Sequence, residues 1–169
     1  MEWVSWEGRP PGQPFAGYSE EQKRERYETQ HKPLAEKYGV PIRLAGPDYR
    51  TTNAHLATFY ARDKGDYKSF RNRIYRARWV ENLDLESPEV LARLGAEEGL
   101  DGEKIKKVIA EKRYLGSLHS QRAQGKAAGI YGIPSFIVEG KIFWGADVID
   151  DVQAAVARVR EARLKEKEE

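Results

Sequence analysis

A chain of 169 residues, with 40% hydrophobic and 33% charged side chains, suits one domain or one core carrying an inserted subdomain. Twenty-nine basic against 27 acidic residues leave a net charge of +2, too even for a protein that coats phosphate backbone, so no nucleic acid is expected as partner. The chain has no cysteine, which excludes disulfides, thiolate zinc sites and a cysteine nucleophile of its own.

Glu2 to Trp6 reads as a short strand, and the loop after it is rich in breakers from Gly8 to Gly17. Met1 to Glu7 lacks the basic and apolar regions of a secretory signal, and no apolar run reaches spanning length. No membrane partner and a cytoplasmic location follow as expectations. Ser19-Glu20-Glu21-Gln22 is a capping box that opens a helix towards Tyr38, stopped at Gly39, with Pro33 kinking or splitting it near His31. One of Thr51, Thr52 or Asn53 caps a helix through Ala54, Ala57, Phe59 and Ala61 to Gly65. A third helix carries Phe70, Ile74 and Tyr75. Ser87-Pro88 opens another, closed by Gly99, and Asp101 caps the next, with Ile105, Val108, Ile109 and Leu115 at helical spacing. A further helix is expected from Ser117 to Ala128.

The period changes after Gly129. Ser135 to Val138, a Glu139-Gly140 turn and Lys141 to Trp144 form a β-hairpin. Asp147 is placed to cap a last helix with Val148, Ile149, Val152, Val156 and Val159 as its apolar stripe, and Lys165 to Glu169 are charged.

Most candidate sites reduce to ordinary surface. His31, His55 and His119 have no ligand spacing on one helix, so no metal site is read. Lys68, Arg71, Arg73, Arg76 and Arg78 point around most of a helix, which describes a wet face better than a phosphate stripe. The exception is Gly129-Ile130-Tyr131-Gly132-Ile133-Pro134-Ser135-Phe136-Ile137-Val138. A proline just before a strand removes a ladder donor, which is tolerated at a strand's first residue. Local sequence alone leaves the Ile133–Pro134 bond open between trans, at the start of an edge strand, and cis, which would leave backbone groups of Ile133 unpaired at a groove.

Gly129 to Val138, followed by Glu139-Gly140-Lys141-Ile142-Phe143-Trp144-Gly145-Ala146-Asp147, resembles the C-terminal part of DsbA-like thioredoxin-fold proteins. That branch includes bacterial thiol-disulfide oxidoreductases, 2-hydroxychromene-2-carboxylate isomerases and kappa-class glutathione transferases. Arg50-Thr51-Thr52-Asn53-Ala54-His55 and Trp79 to Leu85 resemble its helical insertion. The resemblance implies a cis Ile133–Pro134 bond and an α/β, thioredoxin-like fold with a large helical insertion. Residues 1–169 are then a single domain: strand and loop over 1–18, helical insertion over 19–128, hairpin and C-terminal helix over 129–169.

Family members begin with a strand and helix that carry a Cys-x-x-Cys pair or a serine. This chain starts at what resembles the following strand, so the first βα unit is expected to be missing and no catalytic residue is carried over. The implied ligand site is Asn53, Ile133, Pro134, Ser135 and Asp147, where Asp147 matches an acid near the glutathione amine in relatives and equally suits a helix cap. The implied activity is that of a DsbA-family oxidoreductase without its nucleophile. The alternatives are a glutathione-dependent isomerase or transferase and a non-catalytic peptide- or thiol-binding module. Glutathione is the one cofactor implied, a peptide or glutathione-like thiol the ligand, and a second copy of the chain the expected cover for the Glu2–Trp6 strand.

Overall fold

Ser19 opens helix α1 (Glu20–Arg26) through the expected capping box, in a computed structural model that describes residues 3–8, 17–48 and 50–165. Gln22 N–H donates to Ser19 Oγ at 3.2 Å and Ser19 N–H to Gln22 Oε1 at 2.9 Å. Pro33 does perturb this helix, by widening it. Residues Tyr27–His31 form a π-helical turn before α2 (Lys32–Tyr38) resumes the ordinary pitch. Pro33 has no N–H for the Thr29 carbonyl and its ring crowds that oxygen, so the turn before it opens to the wider spacing.

The remaining helices are α3 (Thr52–Lys64), α4 (Tyr67–Trp79), α5 (Pro88–Glu97), α6 (Gly102–Ala110), α7 (Leu115–Ala127) and α8 (Ile149–Lys165). Ser87 Oγ accepts from Val90 N–H at 3.3 Å and Asp101 Oδ1 from Lys104 N–H at 3.1 Å, as their cap positions require. Thr51 occupies the cap of α3 without a side-chain bond. Leu115 does not continue the Asp101 helix. The chain turns at Glu111–Tyr114, with Lys112 at φ +49°, and Leu115 starts α7.

The chain divides into two compact units, Met1–Arg122 and Ala123–Glu169. In the first, α3 packs on α4, α5 and α6, and α5 on α6, around Leu56, Phe70, Leu91, Leu94, Ile105 and Val108. Ala54, Ala57, Ala61 and Ala77 keep the helix backbones close, and all are buried. Gly95 matters for the same reason, since a Cβ there would lie 2.1 Å from Ile105 Cδ1. The basic face of α4 is laced to acids rather than bare. Arg73 reaches Glu97 at 2.7 Å and Glu81 at 3.0 Å, and Arg76 reaches Glu81 at 3.1 Å.

The expected Glu2–Trp6 strand is not found: residues 3–7 pair with no strand among the described residues, and Glu2 lies outside them. Side chains of the helices take the backbone groups a sheet would have used. Arg62 Nη2 donates to the Trp3 carbonyl at 3.0 Å, and Ser5 N–H donates to Gln121 Oε1 at 2.8 Å. The Arg71 guanidinium lies 4.1 Å from the centre of the Trp3 ring and that of Arg122 5.6 Å from the Trp6 ring. The segment is a strap over the helical unit. The expected loop from Gly8 to Gly17 falls, over residues 9–16, outside the described residues, as do the charged residues 166–169.

The second unit holds the hairpin of β1 (Ser135–Val138) and β2 (Lys141–Trp144), the two strands found among the described residues. Helix α8 packs on β1, and Ile130, Phe143 and Ala155 are buried there. The expected stripe of α8 is half-buried along Val148, Ile149, Val152, Val156 and Val159.

Phe70 sits at the centre of the first unit with no solvent exposure. Phe70→Ala is expected to cost about 3–5 kcal/mol of unfolding free energy, read as a lowered denaturant midpoint.

Candidate functional site

The hairpin sets the geometry of the candidate site. Glu139 at φ +47° and Gly140 at φ +78° give its two-residue turn the left-handed backbone that matches the strand twist. The register pairs Ser135 with Trp144, Phe136 with Phe143, Ile137 with Ile142 and Val138 with Lys141. Partners across a strand pair share a face, so Phe136 and Phe143 lie on one side and Ile137, Ile142 and Trp144 on the other. Phe143 is buried, whereas the three residues of the opposite face are exposed.

Beyond Ser135 the ladder gains one more bond, from Gly145 N–H to the Pro134 carbonyl at 3.0 Å. The Ile133–Pro134 peptide bond is cis. Ser135 Oγ donates back to the Gly132 carbonyl at 2.7 Å, closing the loop on itself. The backbone of Ile133 has no hydrogen-bond partner among the described residues. Its side chain and Pro134 are exposed. The loop therefore presents one free N–H and one free carbonyl, the pair that an extended chain needs to add beside it.

Asp147 belongs to the same corner. Its Oδ1 lies 2.4 Å from the place a Cβ would take on Gly145, whose φ is +104°. The carboxylate is thus folded over the residue that bonds Pro134. The cap reading of Asp147 is not met, because α8 begins at Ile149 and Val152 N–H bonds Val148 O at 3.0 Å. Four of the five expected residues, Ile133, Pro134, Ser135 and Asp147, come together in the second unit.

Asn53 lies in the first unit, where it joins two helix starts. Its Nδ2 donates to the Glu86 carbonyl at 2.7 Å and its N–H to Glu86 Oε2 at 3.4 Å. Burial, with the Glu7 and Asp84 charges behind it, holds the Glu86 carboxyl above the usual range, against the Asn53 amide and Arg50. Next to Asn53, Thr52 Oγ1 donates to Glu7 Oε1. Glu7 is only 2% exposed and its Oε2 has no partner among the described residues, so the strap is anchored by a carboxylate deep in the helical unit. Sequence reading did not single out Glu7. A charged residue directly after an aromatic–apolar run was its one available signal.

The three histidines stay apart in role. His31 stacks edge-on against Trp79 with ring centres 5.6 Å apart, His119 is exposed, and His55 is partly buried on α3. Among the described residues no group of three His, Cys, Asp or Glu could hold a metal ion.

A family model described as a DSBA-like thioredoxin domain matches residues 7–157. Protein YwbO of Bacillus subtilis (strain 168), itself uncharacterized, is 25% identical over 161 residues, which is 93% of this chain and 80% of that protein. The 2-hydroxychromene-2-carboxylate isomerase of Sphingobium xenophagum is 25% identical over 120 residues, 71% of this chain and 61% of that protein. Among solved structures, a 2-hydroxychromene-2-carboxylate isomerase superposes with a TM-score of 0.75 at 16% identity, over 89% of this chain and 75% of that one. A probable DsbA oxidoreductase from Streptomyces coelicolor superposes with a TM-score of 0.65 at 21% identity, over 77% of this chain and 56% of that one. These two likenesses are likenesses of fold, and they give the helix-rich chain and its small hairpin a thioredoxin-like α/β architecture.

Burial lowers the pKa of His55 from 6.5 to about 4. A histidine depressed in the folded state stays neutral there while the unfolded chain takes up a proton, so stability falls as pH drops from about 6.5 towards 4. The loss from this group is expected to reach about 3 kcal/mol at most. Denaturation midpoints measured across that window should fall in the wild type, and the His55→Gln variant should flatten the decline.

Proposed function

As the chain belongs to the DSBA-like thioredoxin domain family, we propose that it binds a short extended peptide carrying a thiol, of which glutathione is the simplest, at the Ile133–Pro134 loop. The sulfur chemistry of this protein then comes from the ligand, since the chain has no cysteine. The observation that carries the reading is the backbone of Ile133, unpaired among the described residues and held open between the Ser135–Gly132 and Gly145–Pro134 bonds.

Each group has a defined part. Ile133 N–H donates to, and its carbonyl accepts from, the backbone of the ligand, one rung of an added strand. Ser135 Oγ is turned to Gly132, so it fixes the loop rather than reaching out to the ligand. Asp147 offers a carboxylate to the ligand's ammonium group. Bound glutathione supplies the nucleophilic thiol, and the protein supplies position and orientation. Its work is to hold the thiol of a flexible tripeptide in one place.

Within this reading the glutathione-dependent isomerase or transferase branch is favoured over the oxidoreductase branch. Thiol–disulfide exchange needs a thiolate on the enzyme that forms and then releases a mixed disulfide. This chain has no such atom. An isomerase that borrows its thiol from glutathione needs none, and the likeness to isomerases supports the choice. A reducing compartment such as the cytoplasm, where glutathione is abundant, is the matching location.

Glutathione at one hundred times its dissociation constant is expected to add about 2.7 kcal/mol to stability, read as a rise of several degrees in the thermal midpoint. Asp147→Asn should shrink the rise. Absence of any shift at physiological glutathione concentrations would sink the proposal. The 169-residue chain should also fail to speed insulin reduction by dithiothreitol, and acceleration there would point to chemistry outside this reading.

A further inference from the structure

Trp144 ends β2 opposite Ser135 and is 67% exposed. A tryptophan so placed leaves a large apolar surface in water, and a single such residue on an ordinary surface needs no explanation. Its seat does. The Nε1 edge of the indole lies over Gly132. A Cβ on Gly132 would be 2.5 Å from Trp144 Nε1, 3.2 Å from Cε2 and 3.5 Å from Cζ2. Only the missing side chain at 132 lets the ring rest there.

Gly132 is itself fixed, because its carbonyl accepts from Ser135 Oγ at 2.7 Å. The indole is therefore seated on the loop that carries the unpaired Ile133 backbone, one residue away. The rest of its surface is open. The residues on either side of that glycine, Tyr131 at 84% exposure and Ile133 at 60%, are also uncovered, and no charged side chain occurs between Tyr131 and Val138. What the loop shows to a ligand next to its hydrogen-bonding backbone is an aromatic wall.

We propose that Trp144 is the surface on which the ligand stacks, so that the site favours glutathione-type peptides whose sulfur carries a planar aromatic group. The assignment rests on the reading that the loop binds a glutathione-like thiol. It adds a specificity residue to that site and a chemical class to its ligand. An aromatic ring laid against the indole gains offset stacking together with removal of two apolar faces from water. Glutathione without such a group gains neither. The indole's seat over Gly132 is present before a ligand arrives, which reduces the side-chain entropy lost on binding.

Calorimetric titration of the full chain with glutathione and with S-benzylglutathione tests this. S-benzylglutathione is expected to bind roughly tenfold more tightly than glutathione. Trp144→Ala should bring the ratio of the two affinities to about one. Trp144→Phe, which keeps a ring, should retain most of the preference. Gly132→Ala, which puts a methyl group where the indole rests, should lower it. Equal affinities in the wild type overturn the assignment while leaving the thiol-binding reading in place. A preference that survives Trp144→Ala does the same. Failure of both ligands to bind overturns both readings. If sedimentation shows a dimer that Trp144→Ala dissociates, the exposed ring is a contact between two copies and the assignment falls.

Discussion

The candidate site hangs on one backbone hydrogen bond, from Gly145 N–H to the Pro134 carbonyl. Proline contributes no donor to a ladder, so its carbonyl is the only backbone group at 134 that can hold the strand in line. Once it is bonded, the chain before it is forced out of the hairpin, and Ile133 is left with an N–H and a carbonyl facing outwards. The same bond brings Gly145 alongside, and with it Asp147, whose carboxylate fits over a residue with no Cβ. Ser135 secures the far side by bonding Gly132. Three short-range constraints thus build an open rung of strand without help from any distant part of the chain.

This locality explains why the hairpin was legible in the sequence. Alternating Phe, Ile and Val around Glu139-Gly140 specify both the strands and the turn, because each signal acts over two to four residues. The capping box at Ser19, the caps at Ser87 and Asp101 and the left-handed glycines that bound the helices are signals of the same reach. Ile133 and Pro134 carried a resemblance on top of that pattern. The fold family followed from them, although only two strands are present among the described residues.

Long-range exchange of partners was not legible. The apolar run at Trp3 to Trp6 has the look of a strand, yet Arg62 and Gln121 capture its backbone. Nothing near residue 3 announces an arginine 59 positions away. Glu7 was missed for the same reason. Its partner Thr52 and its neighbour Glu86 are set by how α3 and α5 begin side by side, and that is a product of core packing around Leu91 and Leu94. Asn53 illustrates both halves. Its place at the start of α3 could be read locally, whereas its bond to the Glu86 carbonyl could not. Arg73 is a third case, a surface charge by sequence and a bridge between Glu81 and Glu97 in the structure.

The strap has a consequence for the order in which the molecule assembles. Its bond from Ser5 to Gln121 joins residues 116 apart, and its bond from Trp3 to Arg62 joins residues 59 apart. Closing loops of that length is entropically unfavourable until both ends are already presented by folded structure. The helices, by contrast, are made of contacts between near neighbours and of packing between consecutive elements. The strap is therefore expected to dock after α3, α4 and the middle of α7 are in place.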